Sequence, residues 1–259
     1  MRAGSNRGPR VIVDVVMYLL LGAAMGTLGG LFGIGGGLVA IPALGVLFGL
    51  DQQLAQGTAL LMVLPNVLLA LWRYHQRNRI SVRNAMMLIV PSFLASWLTS
   101  MWAVRIEAQS MRIGFVGFLI VLTLFNLMQM FSHKGNAGAE LRHGSWLWVL
   151  GLGSGITAGL FGVGGGVIAT PILTGVFGAT QVAAQGLALA LAAPATVITL
   201  TTYALHGHVN WLMGIPLAIG GLASISWGVA LAHSLPERRL RSLFCVFLVL
   251  CAIMLCFRL

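Results

Sequence analysis

Charged side chains are scarce in this sequence. Of its 259 residues, 8% are charged and five are acidic, whereas 58% are hydrophobic. A soluble domain carries about 25% charged residues, so this composition excludes an ordinary water-exposed surface. Apolar stretches recur that approach or exceed the roughly 18 residues of a membrane span. The sequence therefore predicts an all-α integral membrane protein.

Cysteines and buried carboxylates are also few. The three cysteines, Cys245, Cys251 and Cys256, lie in the last apolar segment, at spacings that fit neither a zinc site nor a disulfide framework. We expect them to be packing residues of a lipid-facing helix. No carboxylate lies deep within a predicted span, and nucleophiles, bases and metal ligands do not cluster there. The sequence therefore predicts no enzyme, no metal and no cofactor.

The positive charge is distributed as in a membrane protein. The formal net charge is +10, which would suit a nucleic-acid partner. However, the lysines and arginines sit in short loops and at both ends of the chain, between apolar segments. The positive-inside bias of membrane proteins accounts for that placement. We therefore expect a lipid bilayer, and no nucleic acid, as a partner.

Eight long apolar segments are predicted to cross the bilayer. They are residues 11–31, 57–72, 84–104, 113–131, 145–161, 186–205, 210–232 and 242–257. Two shorter segments, 38–50 and 167–178, each follow a glycine-rich run and are too short to cross comfortably. The pattern predicts about eight transmembrane helices plus two short broken or re-entrant helices.

The glycine-rich runs mark an internal duplication. Residues 31–37 and 160–166 are related by a constant offset of 129 positions. Positions 30–60 match 159–189 at 18 of 31 residues, where this composition would give roughly a tenth by chance. We therefore predict a first repeat over residues 1–131, a linker loop over 132–144 and a second repeat over 145–259.

The loop charges bear on the orientation of the two repeats. If only the eight long segments cross, the repeats are parallel, and six internal-loop lysines and arginines lie inside against five outside. If the short segments also reverse the chain, the repeats are inverted and the counts become nine and two. With both tails included, the counts are ten to five for parallel and nine to six for inverted repeats. Because a broken element in each half is common in inverted-repeat transporters, we predict inversion.

Each glycine-rich run is predicted to break a helix inside the membrane. Consecutive glycines permit left-handed turns. They also leave no side chains between the backbone amides and a ligand, and a helix beginning there carries a partial positive charge at its N-terminus. Pro42 and Pro171 are predicted to mark the same break as early-helix or kink prolines. The candidate anion-binding glycines are Gly35, Gly36, Gly37, Gly164, Gly165 and Gly166.

Close helix packing is the alternative explanation for these glycines. It is the preferred interpretation of the glycines spaced by four, which form small-residue faces. Those residues are Gly22, Gly26, Gly30, Gly151, Gly155 and Gly159. For the two triplets it is less favoured, because three consecutive glycines are poor helix sequence.

Few other polar residues lie within or beside the spans. Gln56 and Gln185 are placed just before the helices that follow the breaks and are candidate substrate donors, with interhelical hydrogen bonding as the alternative. Asn66, Tyr74 and Tyr203 are candidate pore residues. For the two tyrosines, anchoring at the membrane interface is an equal alternative.

The doubled pattern Gly-x-Gly-Gly-Gly-x4-Pro resembles the TauE/SafE sulfite exporter family. It runs from Gly33 to Pro42 and again from Gly162 to Pro171. The similarity extends to segment 55–58 and to the basic loop 77–81 with its counterpart 206–210. The resemblance implies a multi-pass carrier of the bacterial inner membrane that moves small anions, often sulfite or organosulfonates.

Two positions depart from that family pattern. Leu187 replaces a small hydroxyl residue, and Asn78 stands where a glycine is usual. These departures imply that the two halves contribute unequally to the site.

The function predicted from the sequence is secondary transport of a small anion. The anion would bind between the two breaks, and the repeats would alternate its access to the two sides. A proton or a sodium ion is left open as a coupling partner. The alternatives are a passive anion channel and a membrane subunit that transports nothing.

Overall fold

The computed structural model describes residues 8–77, 82–131 and 146–256. Within these ranges the chain forms ten helices and no strand. The helices are α1 (Gly8–Phe32), α2 (Gly37–Phe48), α3 (Gln52–Arg77), α4 (Val82–Ala103), α5 (Ala108–Phe131), α6 (Leu147–Phe161), α7 (Gly166–Gly175), α8 (Gln181–Leu205), α9 (Trp211–Ser234) and α10 (Glu237–Cys256). The predicted linker 132–144, together with positions 78–81 of the basic loop, lies outside the described residues.

Six of the ten helices are long and apolar enough to cross a membrane, namely α1, α3, α4, α5, α8 and α9. The two short segments predicted after the glycine runs are present as α2 and α7. The predicted count of eight long spans is not confirmed, because α6 has 15 residues and the apolar part of α10 is Ser242–Met254. Both are shorter than the about 20 residues that span a bilayer without tilt or thinning.

The packing of the helices repeats with the duplication: each of the largest contacts between two helices has a counterpart between the two helices equivalent to them by the 129-residue offset. The offset relates α1 to α6, α2 to α7, α3 to α8, α4 to α9 and α5 to α10. The two largest helix contacts are α1 with α9 and α4 with α6, which are equivalent under this exchange. The contacts of α3 with α9 and of α8 with α4 are equivalent in the same way, and α3 also packs on α8. The duplication seen in the sequence is therefore a duplication of packing.

The glycines spaced by four lie at the largest contacts and confirm the packing interpretation. A Cβ atom added to Gly26 would lie 2.6 Å from the Cα of Gly221, and one added to Gly155 would lie 2.7 Å from the Cα of Ser92. Such distances admit no side chain at either position. Small residues let α1 approach α9, and α6 approach α4, so closely that backbone atoms of the two helices are in contact.

The outer helices carry the exposed apolar surface, and α3 and α8 form the centre. Of the six candidate spans, α3 and α8 are the most buried. Trp102 and Trp227, on α4 and α9, are among the most exposed large side chains. Cys245 and Cys251 on α10 are buried, which supports packing but places them on the inner face of that helix rather than toward lipid. Among the described buried polar side chains, the glutamines Gln56 and Gln185 thus lie on the two central helices.

Candidate functional site

The first helix break lies between α1 and α2. Gly33, Gly35 and Gly36 have φ angles of 67°, 72° and 94°. These values lie in the left-handed region, where a side chain costs about 1–2 kcal/mol per residue. The sequence Gly-x-Gly-Gly therefore allows the chain to leave α1 and start α2 within four residues, because glycine has no Cβ to clash there.

The second break repeats this backbone path between α6 and α7. Gly162, Gly164 and Gly165 have φ angles of 67°, 71° and 72°, at the positions equivalent to those of the first break. The predicted helix breaks are therefore present in both halves. All residues from 33 to 37 and from 162 to 167 are buried.

The glycines at the breaks are also closely packed. A Cβ atom on Gly36 would lie 2.9 Å from the carbonyl oxygen of Met25, and one on Gly165 would lie 2.5 Å from that of Ser154. Met25 and Ser154 occupy equivalent positions in α1 and α6. Packing and backbone conformation thus each require glycine here, whether or not the same residues bind a ligand.

The short helices start at the breaks without a side-chain cap. No side chain accepts a hydrogen bond at the N-cap residues Gly36 and Gly165. The first turn of an α-helix has N–H groups without intrahelical acceptors, and it carries the positive end of the helix dipole. The N-termini of α2 and α7 thus place two partial positive charges in the buried region of the breaks.

The two breaks are adjacent. A Cβ atom on Gly37 would lie 3.4 Å from the carbonyl oxygen of Gly162, and one on Gly164 would lie 3.8 Å from Cγ1 of Val63. A Cβ atom on Gly35 would lie 3.1 Å from that same Val63 methyl group. The N-termini of α2 and α7 therefore lie close to each other, beside α3.

The prolines do not mark the break. Pro42 is the sixth residue of α2, and Pro171 is the sixth residue of α7. The early-helix alternative is wrong, because each proline lies five residues beyond the start of its helix, whereas the alternative that they are kink prolines stays a prediction. The left-handed residues at the breaks are the glycines, and each proline removes one backbone N–H inside the helix that follows.

Gln56 and Gln185 lie inside α3 and α8, one turn after each helix begins. Their predicted position before the helices is wrong, because both helices start earlier than the apolar runs. At α8, the hydroxyl of Thr180 accepts a hydrogen bond from the amide of Ala183 at 3.3 Å and caps the helix. The polar first turn of α3 is buried in protein, with Gln52 and Gln53 3% and 4% exposed, and thus needs no apolar composition.

The two glutamines make crossed hydrogen bonds with the two tyrosines. The hydroxyl of Tyr74 donates to Oε1 of Gln185 at 2.8 Å, and the hydroxyl of Tyr203 donates to Oε1 of Gln56 at 2.9 Å. Tyr203 also lies 3.1 Å from the carbonyl oxygen of Leu160. Interhelical hydrogen bonding of the glutamines is confirmed. Interfacial anchoring of the tyrosines is wrong, because Tyr74 is 1% exposed and Tyr203 fully buried.

Each glutamine packs against the break of the other half. A Cβ atom on Gly33 would lie 2.9 Å from Cγ of Gln185, and one on Gly162 would lie 3.3 Å from Cβ of Gln56. Within the described chain, Nε2 of both glutamines is buried and has no hydrogen-bond partner. A buried donor without an acceptor costs about 1–3 kcal/mol. The site therefore holds two amide donors with unused hydrogen-bonding capacity.

The two breaks differ in their polar neighbours. Asn66 donates from Nδ2 to the carbonyl oxygen of Gly35 at 3.3 Å, while its Oδ1 is buried and unpaired among the described residues. Ala195 occupies the equivalent position in α8. Beside the second break, Oγ1 of Thr196 would lie 3.1 Å from a Cβ atom on Gly164. Asn66 thus contacts the first break without an equivalent at the second, and its role as a pore residue stays a prediction.

Sequence reasoning missed the buried hydroxyl groups at the second break. Within the described ranges, the hydroxyl oxygens of Thr196 and Ser154 are buried and have no partner. Val67 and Met25 occupy the equivalent positions in the first half. Aligning the two repeats and searching for polar residues of one repeat that are apolar in the other would have found both positions. No group of three or more metal-ligating side chains occurs among the described residues.

Comparison with known proteins identifies the family. The family model described as Sulfite exporter TauE/SafE matches residues 18–255. A Bacillus subtilis protein named Probable membrane transporter protein YunE is 23% identical over 262 residues, 92% of this chain and 96% of that protein. A Xylella fastidiosa protein named Probable membrane transporter protein is 25% identical over 225 residues, 86% of this chain and 85% of its own. A similarly named Methanocaldococcus jannaschii protein is 28% identical over 164 residues, 61% of this chain and 60% of its own. With the family model matching nearly the whole chain, this protein belongs to the sulfite exporter TauE/SafE family.

Proposed function

We propose that this protein is a secondary transporter, working as an exporter, for a small anion, either sulfite or an organosulfonate. The observation that carries the proposal is the crossed pair of glutamines. Each is held by a tyrosine and packed against the break of the opposite half, and each keeps unpaired amide donors in a buried site. The family membership and the printed names of the relatives support transport rather than catalysis.

The chemistry of the site favours an anion. The groups that converge on the breaks are neutral donors, namely the Nε2 atoms of Gln56 and Gln185 and the first-turn amides of α2 and α7. An anion supplies the acceptor that these donors lack, and the helix starts at Gly36 and Gly165 stabilise its charge. Gly35, Gly37, Gly164 and Gly166 belong to the same proposed backbone site.

The crossed hydrogen bonds also support inverted repeats. Tyr74 lies near the C-terminal end of α3 and its partner Gln185 near the N-terminal end of α8, and the second pair is the reverse. The equivalent helices α3 and α8 therefore run antiparallel. A twofold rotation that exchanges two antiparallel helices has its axis perpendicular to both. With α3 and α8 spanning the bilayer, that axis lies in the membrane plane, the arrangement of alternating-access carriers.

In this proposal the protein is a multi-pass protein of the bacterial inner membrane. Relatives from Bacillus subtilis and Xylella fastidiosa support a bacterial setting. A coupling proton or sodium ion remains part of the proposal. Asn66, with its unpaired Oδ1 beside Gly35, is the candidate pore residue in the first half.

The test is counterflow in proteoliposomes that contain the purified full chain. A carrier preloaded with unlabelled sulfite should accelerate the entry of labelled sulfite, and the same assay with sulfoacetate covers the organosulfonates. A passive channel shows no such acceleration. Absence of counterflow with every sulfite and sulfonate tested would refute the carrier.

Glutamine variants connect that flux to the site. Gln56→Leu and Gln185→Leu each remove the unpaired amide while keeping most of the side-chain volume, so both should lower the exchange rate, because each removes a buried donor of the proposed site. Gln53→Leu is the matched control, because Gln53 is a buried glutamine of the same helix that donates to the carbonyl of Ile106. Unchanged exchange in both site variants would remove the glutamines from the site.

A further inference from the structure

One small cavity lies beside Gln185. Its volume is about 20 Å³, which is room for one water molecule. The first break contributes Ile34 to its wall, α5 contributes Asn126, and α7 contributes Thr170 and Thr174. The cavity therefore joins the break of the first half to the short helix of the second half, with Gln185 between them.

The two threonines that α7 contributes to this wall have no polar counterpart on α2. At the positions 129 residues away, Ile41 replaces Thr170 and Gly45 replaces Thr174. Ile41 is fully buried, so the equivalent place on α2 presents a branched hydrocarbon where α7 presents a hydroxyl. The glutamines and tyrosines are duplicated, whereas the polar residues around the cavity are not.

The polar groups of the wall keep hydrogen-bonding capacity for a ligand. Tyr74 fixes Oε1 of Gln185, which leaves both N–H groups of Nε2 without a partner in the described structure. Thr170 donates to the carbonyl of Gly166 at 3.0 Å, and Asn126 donates to that of Leu122 at 2.8 Å. A hydroxyl oxygen and a side-chain amide that donate one bond each can still make others. The cavity thus combines the free donors of Gln185 with Asn126, which can still donate and accept, and with the Thr170 hydroxyl, which can accept here and donates to a ligand only by turning away from Gly166.

We propose that the anion is held in this cavity, closer to Gln185 than to Gln56, and that Thr170 and Asn126 determine which anion is accepted. The inference rests on the proposed transport function and adds to it an unequal role for the two halves. Because the cavity is small and its polar groups lie close together, the preferred ligand is a compact oxyanion such as sulfite. An organosulfonate brings a carbon chain in addition, so the walls of the cavity have to separate further to admit it than to admit sulfite.

Binding requires the walls to separate. A cavity of about 20 Å³ is smaller than an oxyanion of four heavy atoms. One wall is α7, a helix of ten residues that starts at the left-handed Gly165. In this proposal the break lets α7 move relative to α6 without breaking hydrogen bonds inside either helix, and the structure represents the closed form of the site.

The experiment measures sulfite and sulfoacetate affinities of the full chain in detergent by ligand-induced thermal shifts. We expect tighter binding of sulfite than of sulfoacetate. Gln185→Leu should weaken sulfite binding about 10- to 100-fold, the loss of one hydrogen bond to a charged ligand. Gln56→Leu should raise the sulfite dissociation constant by a factor at least about ten times smaller than Gln185→Leu does. Equal losses in the two variants would overturn the unequal site while leaving the transporter intact.

A second variant pair keeps the proposal testable if a glutamine variant does not fold. Thr170→Val preserves the side-chain shape and should reduce sulfite affinity about tenfold or more. Thr199→Val is the control, because Thr199 is a buried threonine that donates to the carbonyl four residues earlier, as Thr170 does, and does not line the cavity. Equal sulfite affinities in Thr170→Val and the unmodified chain would overturn the role of Thr170. If neither sulfite nor any sulfonate binds or is exchanged, the proposed function itself fails.

Discussion

The crossed tyrosine–glutamine pairs give the sharpest prediction about this fold. Tyr74→Phe removes the hydroxyl that donates to Oε1 of Gln185 at 2.8 Å and leaves that acceptor without its donor in a site where Gln185 is 1% exposed. An unsatisfied buried acceptor costs about 1–3 kcal/mol. We expect a loss of that size in the free energy of unfolding.

The double variant separates the contribution of this hydrogen bond from destabilisation that has other causes. Tyr74→Phe combined with Gln185→Leu should lose less than the sum of the two single variants, because the second change removes a group that the first has already left unpaired. The expected coupling is about 0.5–3 kcal/mol. The pair Tyr203→Phe and Gln56→Leu should behave in the same way, since the equivalent bond is 2.9 Å long.

A third combination is the matched control. Tyr74 and Gln56 both belong to α3 but lie about 27 Å apart at about 1.5 Å per residue. Their variants should be additive within about 0.5 kcal/mol. The assay is unfolding in mixed micelles by increasing dodecyl sulfate, followed by circular dichroism. Strong coupling in this control pair, or additivity in both crossed pairs, would refute the antiparallel pairing of α3 and α8.

Three further predictions concern the breaks, the helix contacts and the ligand. Gly165→Ala should destabilise the protein by at least about 1–2 kcal/mol, because its φ of 72° is left-handed and its Cβ would lie 2.5 Å from the carbonyl of Ser154. Gly153→Ala, in open space within a helix, should instead stabilise by about 0.5–1 kcal/mol, and chemical denaturation compares the two. Gly155→Leu should force α4 and α6 apart and sharply reduce the yield of folded protein on gel filtration, whereas Gly117→Leu, with nothing within 4 Å of its Cβ position, should not. Sulfite at about 100 times its dissociation constant should add about 2.7 kcal/mol of stability, measured as a thermal shift that nitrate at equal ionic strength does not produce.

The repeat and the positions of the helices could be predicted from the sequence. Hydropathy located all ten helices, and the offset of 129 residues located both breaks, because apolar length and glycine content are local properties. The errors in the helix boundaries also came from using only local hydropathy. Hydropathy started the third and eighth helices at residues 57 and 186, whereas they begin at Gln52 and Gln181. At α3 the polar first turn, with Gln52 and Gln53, is buried against protein and has no hydropathy signal.

The partners of the polar residues could not be predicted from the sequence. Tyr74 and Gln185 are far apart along the chain, and a tyrosine near the end of an apolar segment has the pattern of an interfacial anchor. The prolines were misplaced for a related reason. Pro42 lies close to the glycine run, but proximity in sequence does not reveal that the left-handed residues alone turn the chain.

The sequence by itself determined that the chain is an apolar, duplicated helical protein with a glycine break in each copy. Composition, helix length and the left-handed turns of glycine depend only on neighbouring residues. The tertiary structure decided which glutamine meets which tyrosine, that each break packs against the glutamine of the other copy, and that Asn126 of the first repeat and Thr170 of the second line one cavity. These features depend on how α3 and α8 pack against each other, and contacts across more than a hundred residues leave no local trace in the sequence.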